Sequence, residues 1–163
     1  MFVSVDRLSG LSIDPDFESR LRVKLEPYRM AGLDLEINPP QPVALDLVLR
    51  VRVQPGYFRS DIDLALREIF TSGVRSDGLL GVFHPDNFSF AQTVYLSPWV
   101  AAAQSVDGVE AIEVVTFQRR DDPGGSAKDD GFITVGRLEV PVLENSPNFP
   151  ERGTFDLIME GGK

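Results

Sequence analysis

The chain has 163 residues, enough for one domain or two small lobes sharing a core, with 16 basic against 25 acidic side chains for a net charge of −9. That acidity argues against the cationic face that displaces counterions from nucleic acid and the basic segment that holds a protein on an anionic membrane. With no cysteine, thiolate chemistry, disulfides and zinc–thiolate sites are excluded, and no apolar run approaches the ~20 residues that span a bilayer.

In chain order, Phe2-Val3-Ser4-Val5 reads as a short strand, with no basic region and apolar core of the kind a signal peptide needs. The strand ends in a turn at Ser9-Gly10, and Asp14-Pro15 then opens a helix as N-cap and first residue. Phe17, Leu21, Leu25 and Tyr28 share one helical face, Pro27 shortens the helix and Gly32 ends it. Leu33, Leu35 and Ile37 alternate until Asn38-Pro39-Pro40-Gln41-Pro42, where prolines without N–H donors mark a crossing or boundary. The expected organisation is a single module over 1–163, divisible into a small N-terminal lobe, 1–42, and a main lobe, 43–163.

Val43, Leu45, Leu47, Leu49, Val51 and Val53 are apolar in strict alternation, with Asp46, Arg50, Arg52 and Gln54 among their neighbours. That pattern predicts a long strand with one buried face, since a one-residue slip would invert all six. Pro55-Gly56-Tyr57 turns the chain, Ser60 with Asp63 suggests a capping box, and Ile62, Leu66, Ile69 and Phe70 form a helical stripe ending at Ser72-Gly73. Pro85-Asp86-Asn87 has turn chemistry. Ser97 is expected to cap a further helix with Pro98 first, Trp99, Val100, Ala103 and Val106 as its stripe, and Asp107-Gly108 as its stop.

Ala111 to Phe117 is apolar on both sides and reads as a central strand. Arg119 to Gly131 contains no apolar residue but Ala127 and reads as a mobile loop. Ile133 and Val135 are apolar in one phase and Leu138, Val140 and Val142 in the other, so a bulge or bend is expected at Gly136. Glu144 to Gly153 reads as a loop, and Phe155, Leu157 and Met159 as a last strand. The order predicts an α+β fold: a mixed sheet with about three packed helices in ferredoxin-like βα units.

Few residues suggest chemistry. His84, the only histidine, lies in a turn with no G-x-S-x-G elbow anywhere to pair with it. Asp121, Asp122, Asp129 and Asp130 lack the alternating spacing of a calcium loop and surround Lys128, so they read as a solvated run. Gly124-Gly125-Ser126-Ala127-Lys128 misses the spacing of a phosphate loop. The aromatic residues Tyr57, Phe58, Phe83, Phe88, Phe90, Tyr95 and Trp99 fit core plus protein interface better than a ligand platform. No cofactor or metal is expected. Phe83, His84, Phe88, Phe90, Tyr95 and Trp99, with Asn148, Phe149 and Arg152, are the candidate contact residues.

Several ordered motifs are familiar. Val5-Asp6-Arg7, Glu26-Pro27-Tyr28-Arg29-Met30-Ala31-Gly32, Val53-Gln54-Pro55-Gly56-Tyr57-Phe58-Arg59 and Phe83-His84-Pro85-Asp86-Asn87-Phe88 are four of them. Val94-Tyr95-Leu96-Ser97, Phe117-Gln118-Arg119, Gly136-Arg137-Leu138-Glu139 and Pro147-Asn148-Phe149-Pro150-Glu151-Arg152-Gly153 complete the set. Together they resemble the C-terminal region of the baseplate assembly proteins of phage tails and tail-like contractile injection systems, a family related to the J-like baseplate wedge proteins. The resembled proteins are considerably longer, so the chain is expected to be a C-terminal fragment of such a subunit or a standalone module.

The resemblance implies a structural role without catalytic residues. Its partners would be other wedge subunits and neighbouring baseplate or hub proteins, with synthesis and assembly in the cytoplasm and final residence in the particle. It implies neither nucleic-acid binding nor membrane insertion. The isolated chain is expected to be a monomer or weak dimer, with rings only in the assembled particle. The rival readings are a small-ligand or glycan-binding module and, third, a hydrolase of cell wall.

Overall fold

A computed structural model describes residues 1–163. The chain begins with β1 (Phe2–Ser4) and a 3-10 turn at Leu8–Gly10, then enters α1 (Pro15–Leu25). Asp14 caps α1 by accepting the Phe17 N–H at 2.8 Å, and the helix yields to a 3-10 turn at Glu26–Tyr28, where Pro27 bars continuation. β2 (Glu36–Asn38) returns to pair with β1 in parallel. Leu35 is the only residue before Val43 that is buried.

β3 (Gln41–Val53) is the axis of the main sheet. Its six alternating residues are all buried, the most exposed being Val43 at 4 %. α2 (Arg59–Ile69) follows and buries Ile62 and Leu66, and Phe70 seals its end. Phe58, not Ser60, is its N-cap; the Arg59 N–H donates to the Lys163 carbonyl, and Ser60 hydrogen-bonds to Asp61. The expected capping box is therefore absent: backbone after the last strand meets the helix start.

β4 (Val94–Tyr95) runs directly into α3 (Leu96–Gln104), which buries Leu96, Trp99 and Ala103. Tyr95 is the N-cap, so Ser97 lies inside the helix and Pro98 at its third position. The proline is still tolerated, because the first four N–H groups of a helix have no partner within it. The Leu96 N–H is satisfied by the Gly131 carbonyl at 2.9 Å.

β5 (Val109–Arg119) pairs antiparallel with β3 and with no other strand. It is an edge strand, and the expected central position belongs to β3. Its misleading apolarity has a local cause. The register slips at Val48/Leu49 and at Arg52/Val53, so the inward phase passes from Phe117 to Val114 and Ile112 and back to Val109. Apolar residues on both parities thus serve one face.

The segment read as a mobile loop contains α4 (Ala127–Asp130), with Gly131 as its left-handed cap, and Ala127 packs against the core. β6 (Phe132–Ile133) pairs with β4, while β7 (Glu139–Val142) joins β3 in parallel. The phase switch at Gly136 is accordingly a turn between two sheets rather than a bulge within one strand, closed by the Glu139 N–H on the Gly136 carbonyl at 3.0 Å. β8 (Thr154–Gly161) completes the mixed sheet, parallel to β3 from Asp46 to Val53. The fold is α+β, with α2 and α3 covering one face. No helix is long and apolar enough to cross a membrane.

Candidate functional site

The aromatic segment folds inward. Phe70, Phe83, Trp99, Phe117 and Phe155 meet ring against ring, their centroids 4.9 to 5.7 Å apart. Each such pair contributes about 0.5–1.5 kcal/mol beyond the burial of its area. Phe83, His84, Phe88 and Trp99 are only 2 to 7 % exposed, so these four expected contact residues are core. They are drawn inward because the whole length of β3 presents an apolar floor. Phe90 is half-buried against the same cluster.

The other expected contact residues do lie outside. Tyr95 is 57 % exposed and leans on Phe132 at a centroid distance of 6.2 Å. Asn148 and Phe149 are exposed on the loop before β8, and exposed Arg152 is paired with Glu144 at 2.8 Å. Beneath Tyr95 a shallow recess reaches Phe88 and Trp99, but its amides are engaged. Asn87 donates to the Gly81 and Val82 carbonyls, and Gln92 donates to the Asn87 carbonyl.

His84 begins a 3-10 turn at Pro85–Asn87, where its Nδ1 accepts the Asp86 N–H at 3.2 Å. That bond leaves Nδ1 without a proton and fixes the ring in the turn. Two of the four acids of the 119–131 segment are also occupied locally: Asp121 by Arg119, and Asp130 by the Ser126 hydroxyl. No three His, Asp or Glu side chains converge to hold a metal.

Arg119 and Glu139 form a partly buried ion pair, 3.1 Å apart, with Asp121 also on the guanidinium. The Gly136 N–H and then Arg119 hold the Glu139 carboxyl below the usual glutamate range. On the outer face of the sheet, Arg120 and Thr154 both donate to Asp46.

A cleft lies where the N-terminal segment crosses the main sheet. It holds about 230 Å³ between Leu11 and Ile13 on one side and Val140 and Val142 of β7 on the other. Pro39, Pro40, Pro42 and Pro85 line it, and Phe83 and Phe88 close its back. The crossing is pinned: the Ser9 N–H donates to Asp86, and Arg7 holds the Ser12 carbonyl and Asp14. The polar groups at the cleft include Asp6, Ser12, Glu144 and Arg152. Partial desolvation, then repulsion from Asp86, raises the pKa of the Asp6 carboxyl although the residue stays exposed, with no hydrogen bond to lower it.

The structure thus brings Phe83, Phe88 and Arg152 to one cleft and leaves Tyr95 and Phe149 outside it. Sequence reasoning missed Asp6, Ile13, Pro42 and Glu144 as parts of a site. They come from separate stretches of chain, and no spacing joins them. No protein-family model matches the chain, and no curated protein matches it.

Proposed function

We propose that the chain is a structural component of the baseplate of a phage tail or tail-like contractile injection system, joining neighbouring subunits by protein–protein contact. The ordered motifs that resemble that family supply the identity. In this chain they hold architecture together. The 117–119 and 136–139 motifs meet in the Arg119–Glu139 pair. Arg59 of the 53–59 motif donates to the Gly161 carbonyl. Gly153, at φ +96, lies against the Leu45 and Val142 carbonyls, where a Cβ would not fit.

The observation that carries the reading is where apolar surface remains uncovered. Leu8, Val23, Tyr28 and Met30 are 70 to 78 % exposed, all in the N-terminal lobe, and α1 buries no residue. Apolar side chains left uncovered in this segment are available to pack against a partner subunit. These residues, rather than the buried aromatic segment, are the contact surface of the proposal.

Particles purified from cells carrying an epitope-tagged chain provide the test. Gold label should sit at the baseplate end, and Tyr28→Asp with Met30→Asp should leave the folded chain in the soluble fraction, unincorporated. Contracting, infective particles that lack the chain altogether would sink the proposal.

A further inference from the structure

We propose that the cleft between the Leu11–Ile13 segment and β7 is a binding site for a small amphipathic cation, an apolar ring-sized body bearing a protonated amine. Three features of the cleft support this, none of which depends on the baseplate reading. The first is size. At about 230 Å³ the space exceeds the ~150 Å³ that holds benzene in an engineered apolar cavity, which suits a substituted ring.

The second is rigidity. Pro39, Pro40, Pro42, Pro85 and Pro141 line the cleft with residues whose φ is fixed, and Phe83 is locked among Phe70, Trp99 and Phe155. The walls are formed before any ligand arrives, so binding orders little. Ile13 and Val140 supply apolar surface for the body of the ligand.

The third is charge. Arg152, the cation at the cleft, is already neutralised by Glu144 at 2.8 Å. Asp6 has no hydrogen-bonding partner, and Asp86 adds a second carboxylate close by. An ammonium would lie between an apolar wall and an unpaired carboxylate, whereas an anion of the same shape would meet repulsion from both acids. The whole chain, at −9, favours approach of a cation in the same sense.

Phenethylamine is the probe and phenylacetate its anionic counterpart, each titrated into the full chain and followed by methyl resonances. Phenethylamine should bind saturably and shift the methyls of Leu11, Ile13, Val140 and Leu143, while phenylacetate leaves them unmoved. Asp6→Asn, on an exposed residue, should keep the melting temperature and weaken binding by about tenfold. Ile13→Arg, which places the chain's own cation in the cleft, should abolish it. Equal binding of phenylacetate, an unchanged affinity in Asp6→Asn, or shifts confined to residues outside the cleft would overturn the assignment. So would the absence of saturable binding at millimolar phenethylamine.

Discussion

His84 shows how a residue that invites a catalytic reading can be fully accounted for by its backbone. Its Nδ1 accepts the Asp86 N–H, and its ring is 7 % exposed. His84→Ala removes both the turn closure and a packed ring, and should lower stability by about 1–3 kcal/mol in urea unfolding. Gly153 is held more tightly still, by its positive φ and by the two carbonyls above it. Gly153→Ala should cost about 1–3 kcal/mol by the same measurement, and a wild-type midpoint would mean that the loop before β8 relaxes freely.

Glu139 contributes stability with a defined pH sense. Its carboxyl titrates lower in the folded chain than the ordinary glutamate value of about 4.3, so its stabilisation is complete above that value. It is lost as pH falls through the lowered folded value. Glu139→Gln should therefore flatten the acid limb of a stability profile measured from neutrality to pH ~3, and leave the two profiles convergent at its foot.

Among the elements, β3 has the clearest signature. Leu47 and Leu49 are fully buried, and truncating either to Ala should cost about 2–5 kcal/mol, read as a shifted denaturation midpoint with unchanged slope. Six apolar residues in one phase admit a single register, which is why this strand is legible in the sequence. The Asp14-Pro15 helix start is legible too, because cap and proline act within a few residues of each other.

β5 is legible as a strand but not in its place. Its two register slips mix the parities that would identify an edge. The starts of α2 and α3 were obscured by partners from elsewhere: the Lys163 carbonyl at Arg59 and the Gly131 carbonyl at Leu96. Of the cleft, only Phe83, Phe88 and Arg152 were marked by the sequence as contact residues, and that signal pointed to an exposed interface. The 119–131 segment divides in the same way. Removing Asp122–Gly125 should leave the melting temperature within a few degrees, whereas removing Ala127–Gly131 takes away α4 and the Leu96 partner and should lower it more.

For the molecule in solution, both edges of the main sheet carry features that oppose strand addition. β5 is bent by its register slips and exposes Glu110 and Glu113, while β8 has Asn145 on the Phe155 N–H and Arg59 on the Gly161 carbonyl. With a charge of −9 on every copy, self-association has no long-range attraction. The isolated chain should sediment as a monomer at micromolar concentration. A stable hexamer of this chain alone would show that apolar contact through the exposed side chains of the N-terminal segment outweighs the repulsion.

The position of β3 in the chain also governs how the domain comes into being. Its antiparallel partner begins at Val109, but its parallel neighbour along Asp46–Val53 is supplied only by Thr154–Gly161. During synthesis, one side of the central strand waits until Thr154–Gly161, roughly a hundred residues further along, has left the ribosome. Until then a growing chain carries an apolar strand with an unfilled side, the condition in which chaperones bind and nascent chains aggregate. Refolding from denaturant should be slow, on the order of milliseconds to seconds, because the sheet cannot close before its most distant strands have met.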